Sequence, residues 1–568
     1  MQHSPCDHAR RHDRRELSAV GAAGRPAVAS LLLACALAVT GSSPVAGQES
    51  AIDRAREAQR DFERVRRRNF ARGDWDGGRC DEHIGRFCLT HDDDDWSPTP
   101  EHPAVIEARA HLIQVLDSVA LSPEGGEPWL AGQRVKYLLE AEEPDRALEA
   151  AASCPGDLWW CDALLGLVHH ARGETRGAER AFDSAASRMP TDTLCRGEDL
   201  RALLVGDDRD AYEEIPCGTP ARRSFERSFW HLSDPLWSTP GPERRMEHLA
   251  RQVWRGIQSD AASGYGLSWG DDIDEITVRY GWPAGWDVAW RRDPGIRTER
   301  SIEAHRAPHA QRFAVRGVAG EPTWDLDDEE PRSTWALPAG SVAAPEGVQL
   351  AVFRRGEARL VVGAVRPGAD RACGDEFSLV LSSGEHVIAA ARRRRAIALL
   401  EPDGGAARFV GIEVECDGDP AVLRVRGPIG DVGKWLSDLL LLDPSESLPG
   451  TLDATLRHVR PDGVVRPGES IVVFWEWYGP ADPMTVTLTL SRENKGFWRK
   501  ALEFMGLAES QIERTGVRWS DVGPAGESPR AMKMQLPDLA EGEYSLTLHV
   551  QSARIGTVSS SREIVVER

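Results

Sequence analysis

The sequence has little lysine, no long apolar run beyond its N-terminal region, and few of the spaced residues that define catalytic motifs. Only five of its 568 residues are lysine, so arginine carries nearly all of the positive charge. No later apolar run approaches the ~20 residues of a membrane-spanning helix, and no transmembrane span is predicted. The formal net charge of −21 disfavours binding to the phosphate backbone of nucleic acids.

Motifs of metal and phosphate chemistry are also missing. The sequence has no HExxH zinc motif and no glycine-rich loop with the spacing of a phosphate loop. His169 and His170 are adjacent and would point to different sides of a helix. Pro308 interrupts any helix that could align His305 with His309. We therefore predict neither a metal site nor a cofactor.

One string matches a catalytic motif. Gly266–Gly270 fits G-x-S-x-G, the nucleophile elbow in which Ser268 would be the nucleophile. That elbow needs a strand before the serine and a helix after it, whereas the local pattern predicts a helix before and a strand after. No catalytic residue is therefore predicted. The alternative is a hydrolase centred on the loop 266–275, where several carboxylates also cluster.

The N-terminal region predicts export. Several arginines precede an apolar run, Ala27–Val39, which is too short to span a bilayer but has the length of the apolar core of a signal peptide. Small residues then lead to a predicted cleavage site between Gly47 and Gln48. The alternative is a lipoprotein acylated on Cys35. Either signal predicts an extracytoplasmic protein, periplasmic or secreted.

Eight cysteines remain after the predicted signal peptide. An even number in an exported chain indicates disulfide bonds, while a zinc site would need closely paired cysteines. Free buried thiols are the other alternative. Proximity along the chain favours neighbouring partners, which gives four predicted pairs: Cys80 with Cys88, Cys154 with Cys161, Cys195 with Cys217, and Cys373 with Cys416.

Helical periodicity dominates from 105 to about 262. One stretch has small and large apolar residues, and a closing proline, at the spacing of a helical hairpin: Leu165, Gly166, Ala178, Phe182, Ala185 and Pro190. It resembles a tetratricopeptide repeat, in which small residues let two antiparallel helices touch. Such arrays present a concave surface to a protein or peptide. The alternative is a helical bundle without a ligand.

A second resemblance follows this region. An aromatic and proline stretch, an arginine-rich helix, an acidic turn, a strand over Glu275–Tyr280 and a Tyr-Gly turn succeed one another. The residues that carry this order are Trp230, Asp234, Pro235, Arg251, Trp269, Gly270, Asp271, Asp272, Tyr280, Gly281 and Pro283. The order resembles the bacterial GWxTD-domain proteins, although the Trp-Gly-Asp-Asp here replaces their signature. The resemblance implies export and supplies no established activity.

After about 348 short alternating segments replace the helical period, as in antiparallel sandwiches. The predicted fold class is α+β multidomain: an N-terminal helical repeat-like region followed by two antiparallel β-sandwich modules. The predicted boundaries are 1–47 signal peptide, 48–104 N-terminal helix and cysteine-containing loop, 105–225 tetratricopeptide-like region, 226–300 GWxTD-like segment, 301–345 linker, 346–445 β-sandwich, and 446–568 immunoglobulin-like β-sandwich with a helical insertion.

The period of two places Trp475 and Trp477 on one face of a strand. Such a row is typical of a core, while an exposed pair could stack on sugar rings and bind glycan. Our main hypothesis is an exported, non-catalytic interaction or scaffold protein with a protein or peptide partner. Glycan binding by the last sandwich is a further alternative.

Overall fold

The computed structural model describes residues 50–72, 82–90, 97–155, 157–263, 270–293, 296–305, 311–318, 320–325, 333–335, 342–368, 373–402, 405–417, 422–492, 514–522 and 526–567. Helices dominate the described residues up to 280 and strands dominate those that follow, so the predicted α+β multidomain fold is confirmed. None of the described helices has the length and hydropathy of a membrane span. The predicted signal peptide, Ser268, Trp269 and the predicted helical insertion lie outside the described residues.

Eleven helices occupy the described part of the chain before residue 281. Proline in the first turn starts several of them, because proline has the helical φ and lacks only an N–H that would have no partner there. Ser50 and Thr219 cap the helices that follow them through their side-chain oxygens. The helices are α1 Ala51–Arg68, α2 Pro103–Ala120, α3 Pro128–Glu140, α4 Pro144–Ala152, α5 Leu158–Ala171, α6 Thr175–Arg188, α7 Thr191–Gly197, α8 Gly206–Glu214, α9 Pro220–Ser233, α10 Glu243–Ser259 and α11 Asp271–Tyr280.

Helices α5 and α6 form a closely packed hairpin. Ala178, Phe182 and Ala185 are buried on α6, and Leu165 packs against the same cluster from α5. A Cβ on Gly166 would lie only 2.5 Å from the ring of Phe182, so this position requires glycine. The residues of the tetratricopeptide pattern therefore meet at a helix–helix contact, while Pro190 follows α6 at the surface.

Helix α11 corrects the strand expected over Glu275–Tyr280. Its first turn carries three carboxylates, which stabilise the positive end of the helix dipole. Ile273, Ile276 and Tyr280 are buried at a spacing of three and four residues, which is the period of a helix face. Val278 packs into a second apolar cluster on another side of the helix.

A small sheet joins two distant parts of the chain. The segment around residues 71–90 supplies three of its strands, and the segment that follows α11 supplies the other two. In order across the sheet they are β1 Ala71–Arg72, β4 Gly285–Asp293, β5 Ile296–His305, β3 Phe87–Thr90 and β2 Glu82–Ile84. Phe87 and Trp286 pack in its core against α11, with their ring centroids 5.8 Å apart.

The predicted linker 301–345 is wrong, because its described residues form strands. It holds the end of β5 and four short strands: β6 Gln311–Arg316, β7 Thr323–Asp325, β8 Ser333–Trp335 and β9 Val342–Ala343. The order in the three-stranded sheet is β7-β6-β8. Prolines and acidic residues dominate the composition here and mask the short strands between them.

Two sandwiches follow, each made of a three-stranded and a five-stranded sheet. The first has the sheets β10-β11-β14 and β13-β12-β15-β16-β9, and the second has β17-β19-β22 and β18-β24-β23-β20-β21. The bounds are β10 Gly347–Arg355, β11 Ala358–Arg366, β12 Glu376–Ser382, β13 Val387–Arg394, β14 Ala396–Leu400, β15 Phe409–Glu415, β16 Val422–Pro428, β17 Leu440–Leu442, β18 Val464–Val465, β19 Ser470–Trp477, β20 Pro483–Arg492, β21 Arg514–Val522, β22 Ser528–Gln535, β23 Gly542–Ser552 and β24 Gly556–Val566, with a short helix α12 Leu452–Thr455.

The two three-stranded sheets pack on each other. Phe474 of β19 meets Phe353 of β10 with ring centroids 6.0 Å apart, inside an apolar cluster that both sheets share. The opposite face of β19 carries Trp475 and Trp477, which are 2% and 1% exposed in the core of the second sandwich. Both tryptophans are therefore core residues, and the glycan alternative loses the exposed pair on which it rested.

Candidate functional site

Three of the four predicted disulfide bonds are present. Cys154 is bonded to Cys161, Cys195 to Cys217, and Cys373 to Cys416, with Cα atoms 5.6, 6.0 and 3.9 Å apart. The fourth prediction, Cys80 with Cys88, lies outside what the structure describes, because Cys80 and the Cys88 side chain are not among the described groups. Three disulfides favour an oxidising, extracytoplasmic location.

The family-motif residues of α10 and α11 hold the two helices together. Arg251 is buried, and its Nη1 donates to the carbonyls of Val278 and Arg279 at 3.3 and 2.8 Å. The guanidinium gives hydrogen-bond donors to carbonyls of the last turn of α11, and its positive charge compensates the partial negative charge at this end of the helix. Gly281 follows with φ +83°, and a Cβ would meet Arg251 Nε at 3.2 Å, so both the turn and the guanidinium favour glycine. These residues have a structural role.

The acidic residues that begin α11 have basic neighbours. Arg86, on the β2–β3 turn, donates through Nε and Nη2 to the Asp272 carboxylate at 2.6 and 2.7 Å. These hydrogen bonds hold the pKa of Asp272 well below its usual value. Glu275 accepts from Arg279 at 2.9 Å. Asp272 thus fastens α11 to the β2–β3 turn, and Glu275 forms an ion pair within α11, which weakens the hydrolase alternative.

Asp234 and Pro235 lie where α9 meets the first sandwich. Arg424 and Arg426 of β16 donate to the backbone carbonyl of Asp234 at 2.9 and 2.6 Å. The Arg424 Nη1 also donates to the carbonyl of Pro235 at 2.9 Å. Trp230 is buried one turn earlier and packs on His248, with centroids 4.8 Å apart. This part of the family pattern fixes the helical region to the sandwich.

The best candidate for a ligand site is a cleft of about 900 Å³ between the end of α1, the start of α2 and the start of β4. Trp282 of the Tyr-Gly turn lies in its wall, with its ring 5.5 Å from Trp286 and 6.4 Å from Trp254. Several prolines and a phenylalanine complete the apolar lining: Phe70, Pro98, Pro100, Pro103 and Pro283. We refer to this cavity as the tryptophan cleft.

Charged side chains form one side of the tryptophan cleft. Arg66 and Arg109 line it and are 7% and 6% exposed. Both contact Glu140, since Arg66 Nη2 donates to its carboxylate and Arg109 Nη1 donates to its backbone carbonyl at 3.0 Å. Burial raises the pKa of Glu140, but Arg66, Lys136 and Arg109 outweigh it and leave the pKa below its usual value. Glu140 is therefore a carboxylate held by cations.

A buried polar network supports this wall from behind. The Lys136 ammonium donates to Gln258 Oε1 at 2.8 Å and lies 3.8 Å from Glu63 and 3.9 Å from Glu140. Tyr137 donates to Glu63 at 2.7 Å and accepts from Gln59 at 3.0 Å. Burial lowers the pKa of Lys136 despite the two carboxylates. The network joins α1, α3 and α10 and fixes the charges that line the cleft.

The tryptophan cleft was not predicted from the sequence, although two of its lining residues stand at helix positions that indicate burial. Arg66 lies four residues after buried Phe62, and Arg109 lies between buried Val105 and Leu112, so both occupy apolar positions of an amphipathic helix. The prolines gave no such signal. Among the described residues no group of three or more histidine, cysteine or acidic side chains could hold a metal ion.

Comparison with known proteins adds little. No family model matches the chain, and no curated protein sequence matches it. Among solved structures, the PmoD soluble domain from Methylocystis sp. ATCC 49242 (Rockwell) aligns with 23% of this chain and 89% of its own length, at 11% identity and a TM-score of 0.14. A score that low carries no argument. The resemblance to GWxTD-domain proteins stays a prediction.

Proposed function

We propose that this protein is an exported, non-catalytic interaction protein that binds a segment of a partner protein in the tryptophan cleft. One observation carries the proposal: a cavity of about 900 Å³ has aromatic and proline walls, and its buried arginines are already bound to Glu140. Concave apolar sites with a few fixed polar groups are where ligands are recognised.

The polar groups of the cleft are arranged for binding rather than for proton transfer. Arginine does not take part in proton transfer in proteins, and Arg66, Lys136 and Arg109 hold the pKa of Glu140 below its usual value. His102 lines the cleft, but its Nδ1 accepts the N–H of Ala104 at 3.2 Å and so caps α2.

The sandwiches supply a stiff spacer in this proposal. Their three-stranded sheets share an apolar cluster that includes Phe353 and Phe474, and Gln349 bridges them by donating to the carbonyls of Leu441 and Arg460 at 3.1 and 2.7 Å. A packed interface of this kind resists bending, since its core is as close-packed as a domain interior. A partner bound in the cleft would be held at a fixed distance from the C-terminal sheet.

A displayed peptide library selected on the mature protein tests the function. We expect enriched peptides to lose at least about tenfold in affinity for Trp282→Ala, because an aromatic anchor commonly carries ~2 kcal/mol or more of binding free energy. Trp159→Ala is the matched control, since Trp159 is half-buried outside the cleft. Selected peptides that bind Trp282→Ala as tightly as the native protein would contradict the proposal.

Export is tested separately. Fractionation of the native host is expected to place the mature chain outside the cytoplasm, starting at Gln48. Intact-mass measurement with and without reductant is expected to reveal four disulfide bonds, three of them those the structure contains. A cytoplasmic chain with its cysteines reduced would contradict the proposed location.

A further inference from the structure

We infer that the tryptophan cleft recognises an extended, proline-containing partner segment through a glutamate or aspartate side chain, which takes the place of Glu101 on Arg109. This inference rests on the proposed function and names the chemistry of the partner. It follows from the way in which Arg109 is held and from the position of the residue that now occupies its outer end.

Arg109 is fixed on one side and exchangeable on the other. Its Nη1 donates to the Glu140 carbonyl at 3.0 Å, and its Nε lies 3.7 Å from the Glu140 carboxylate. The guanidinium also lies 6.0 Å from the ring centroid of Phe62. These contacts set the orientation of the group before any ligand arrives, which lowers the entropic cost of binding. The remaining Nη2 donates to Glu101.

Glu101 has the features of an internal stand-in for a ligand. Its side chain is 41% exposed, whereas that of Arg109 is 8% exposed, so the carboxylate can leave while the cation cannot. It belongs to the irregular segment 98–102, which leads into Pro103 at the start of α2; the sequence 98–103, Pro-Thr-Pro-Glu-His-Pro, itself lines the cleft. The chain thus presents a carboxylate within a proline-containing extended segment to its own buried arginine.

Charge balance favours an acidic ligand at this position. When Glu101 leaves, Arg109 keeps the Glu140 carbonyl on its Nη1 and the Glu140 carboxylate 3.7 Å from its Nε, but its Nη2 loses the carboxylate to which it now donates. A carboxylate from a partner restores the balance, while a neutral or basic side chain leaves a buried cation uncompensated, which is costly. The aromatic and proline walls beside it suit the rest of a proline-containing segment.

The experiment compares two blocked hexapeptides, Pro-Thr-Pro-Glu-His-Pro and its glutamine twin, by calorimetry on three proteins: native, Glu101→Gln and Glu107→Gln. Glu107 is exposed on α2 outside the cleft and is the matched control. We expect the glutamate peptide to bind Glu101→Gln at least about tenfold tighter than its twin does, since only a charge-assisted bond distinguishes them. The glutamate peptide should bind the native and Glu107→Gln proteins more weakly than it binds Glu101→Gln, because Glu101 competes for Arg109.

Two results would overturn the inference. In one, both peptides bind Glu101→Gln equally, or neither binds; in the other, the glutamate peptide binds native protein as tightly as Glu101→Gln. Glu101→Ala repeats the measurement without the amide, and thermal melts verify that both variants fold. The Trp282→Ala test with selected peptides is independent, so the cleft can remain a binding site while the acidic ligand is rejected.

Discussion

The interiors of the helical region and of the second sandwich are built on different principles. Between α1, α3 and α10 the buried side chains include Glu63, Lys136 and Tyr137, joined by hydrogen bonds. The face of β19 that enters the second sandwich has only apolar side chains, ending in Trp475 and Trp477. One interior depends on hydrogen bonds and ion pairs between buried polar groups, although Glu63 Oε2 and Gln258 Nε2 have no hydrogen-bond partner among the described residues. The other depends on apolar area removed from water.

The difference shows where specificity for a partner can arise. Moving two charges into a protein interior costs more than it returns unless each partner is fully satisfied. The helical region bears this cost beside the tryptophan cleft, where Lys136 and Glu63 fix the groups that line it. The second sandwich avoids the cost and serves as a spacer. The four predictions below test this contrast, from the largest expected effect to the smallest.

The largest effect is expected in the apolar interior. Trp475→Ala should lower the free energy of unfolding by about 4 kcal/mol, because it removes a large ring from a packed core and leaves a cavity. The control is Val517→Ala on the neighbouring sheet, where the side chain is 46% exposed and a loss below about 1 kcal/mol is expected. Urea unfolding followed by tryptophan-independent circular dichroism measures both. A loss below 1 kcal/mol for Trp475→Ala would show that β19 is not a core strand.

The polar interior should be almost as sensitive to a single change. Lys136 and the Tyr137 hydroxyl both contact the Glu63 carboxylate, and Glu63→Ala removes it. We expect the free energy of unfolding to fall by about 3 kcal/mol. Glu57→Ala on the exposed side of the same helix should cost less than about 0.5 kcal/mol. If both variants cost the same in urea unfolding, the network does not stabilise the helical region, and the contrast fails.

Much of the difference between the helical region and the sandwiches could be predicted from the sequence, because the spacing of apolar residues differs between helices and strands. A strand predicted over 470–478 matches β19, in which side chains alternate between the two faces as expected. Helix α11 was mistaken for a strand because Ile276, Thr277 and Val278 are β-branched, although the acidic first turn was visible. Pairing of β3 with β5 gave no local signal, since the two strands lie far apart in sequence. The same holds for the pairing of β1 with β4, which brings together Ala71 and Asp287 in the lining of the tryptophan cleft, so the cleft was missed as well.

The hairpin of α5 and α6 has an apolar contact in which small residues set the distance between the helices. Ala185→Leu should cost about 2 kcal/mol, because extra methylenes at a close helix contact force the backbone apart. Ser187→Leu on the exposed side of α6 adds the same bulk without a neighbour and should be near neutral. Thermal melts of the two variants compare them directly. Equal melting temperatures would refute the tetratricopeptide-like contact.

The smallest effect is expected at Asp234, where the helical region meets the sandwich and where a charge is buried without full compensation. Its Oδ1 has no hydrogen-bond partner among the described residues. Burial raises the pKa of Asp234 well above 3.8, and the nearby Glu243 and Glu413 add to the effect, although Arg426 and Arg424 oppose it.

A group whose pKa is raised on folding contributes stability that is present below its unfolded pKa and is lost as the pH rises through the folded value. Asp234→Asn removes this loss, so the variant should match native protein near pH 4 and exceed it at neutral pH. Asp183→Asn, at a side chain 57% exposed and paired with Arg245, should show no such gain. Urea unfolding between about pH 4 and 8 measures the difference. A variant less stable than native protein at neutral pH would mean that ionised Asp234 pairs productively with Arg424 and Arg426, and that paired charges stabilise this junction as they do the helical interior.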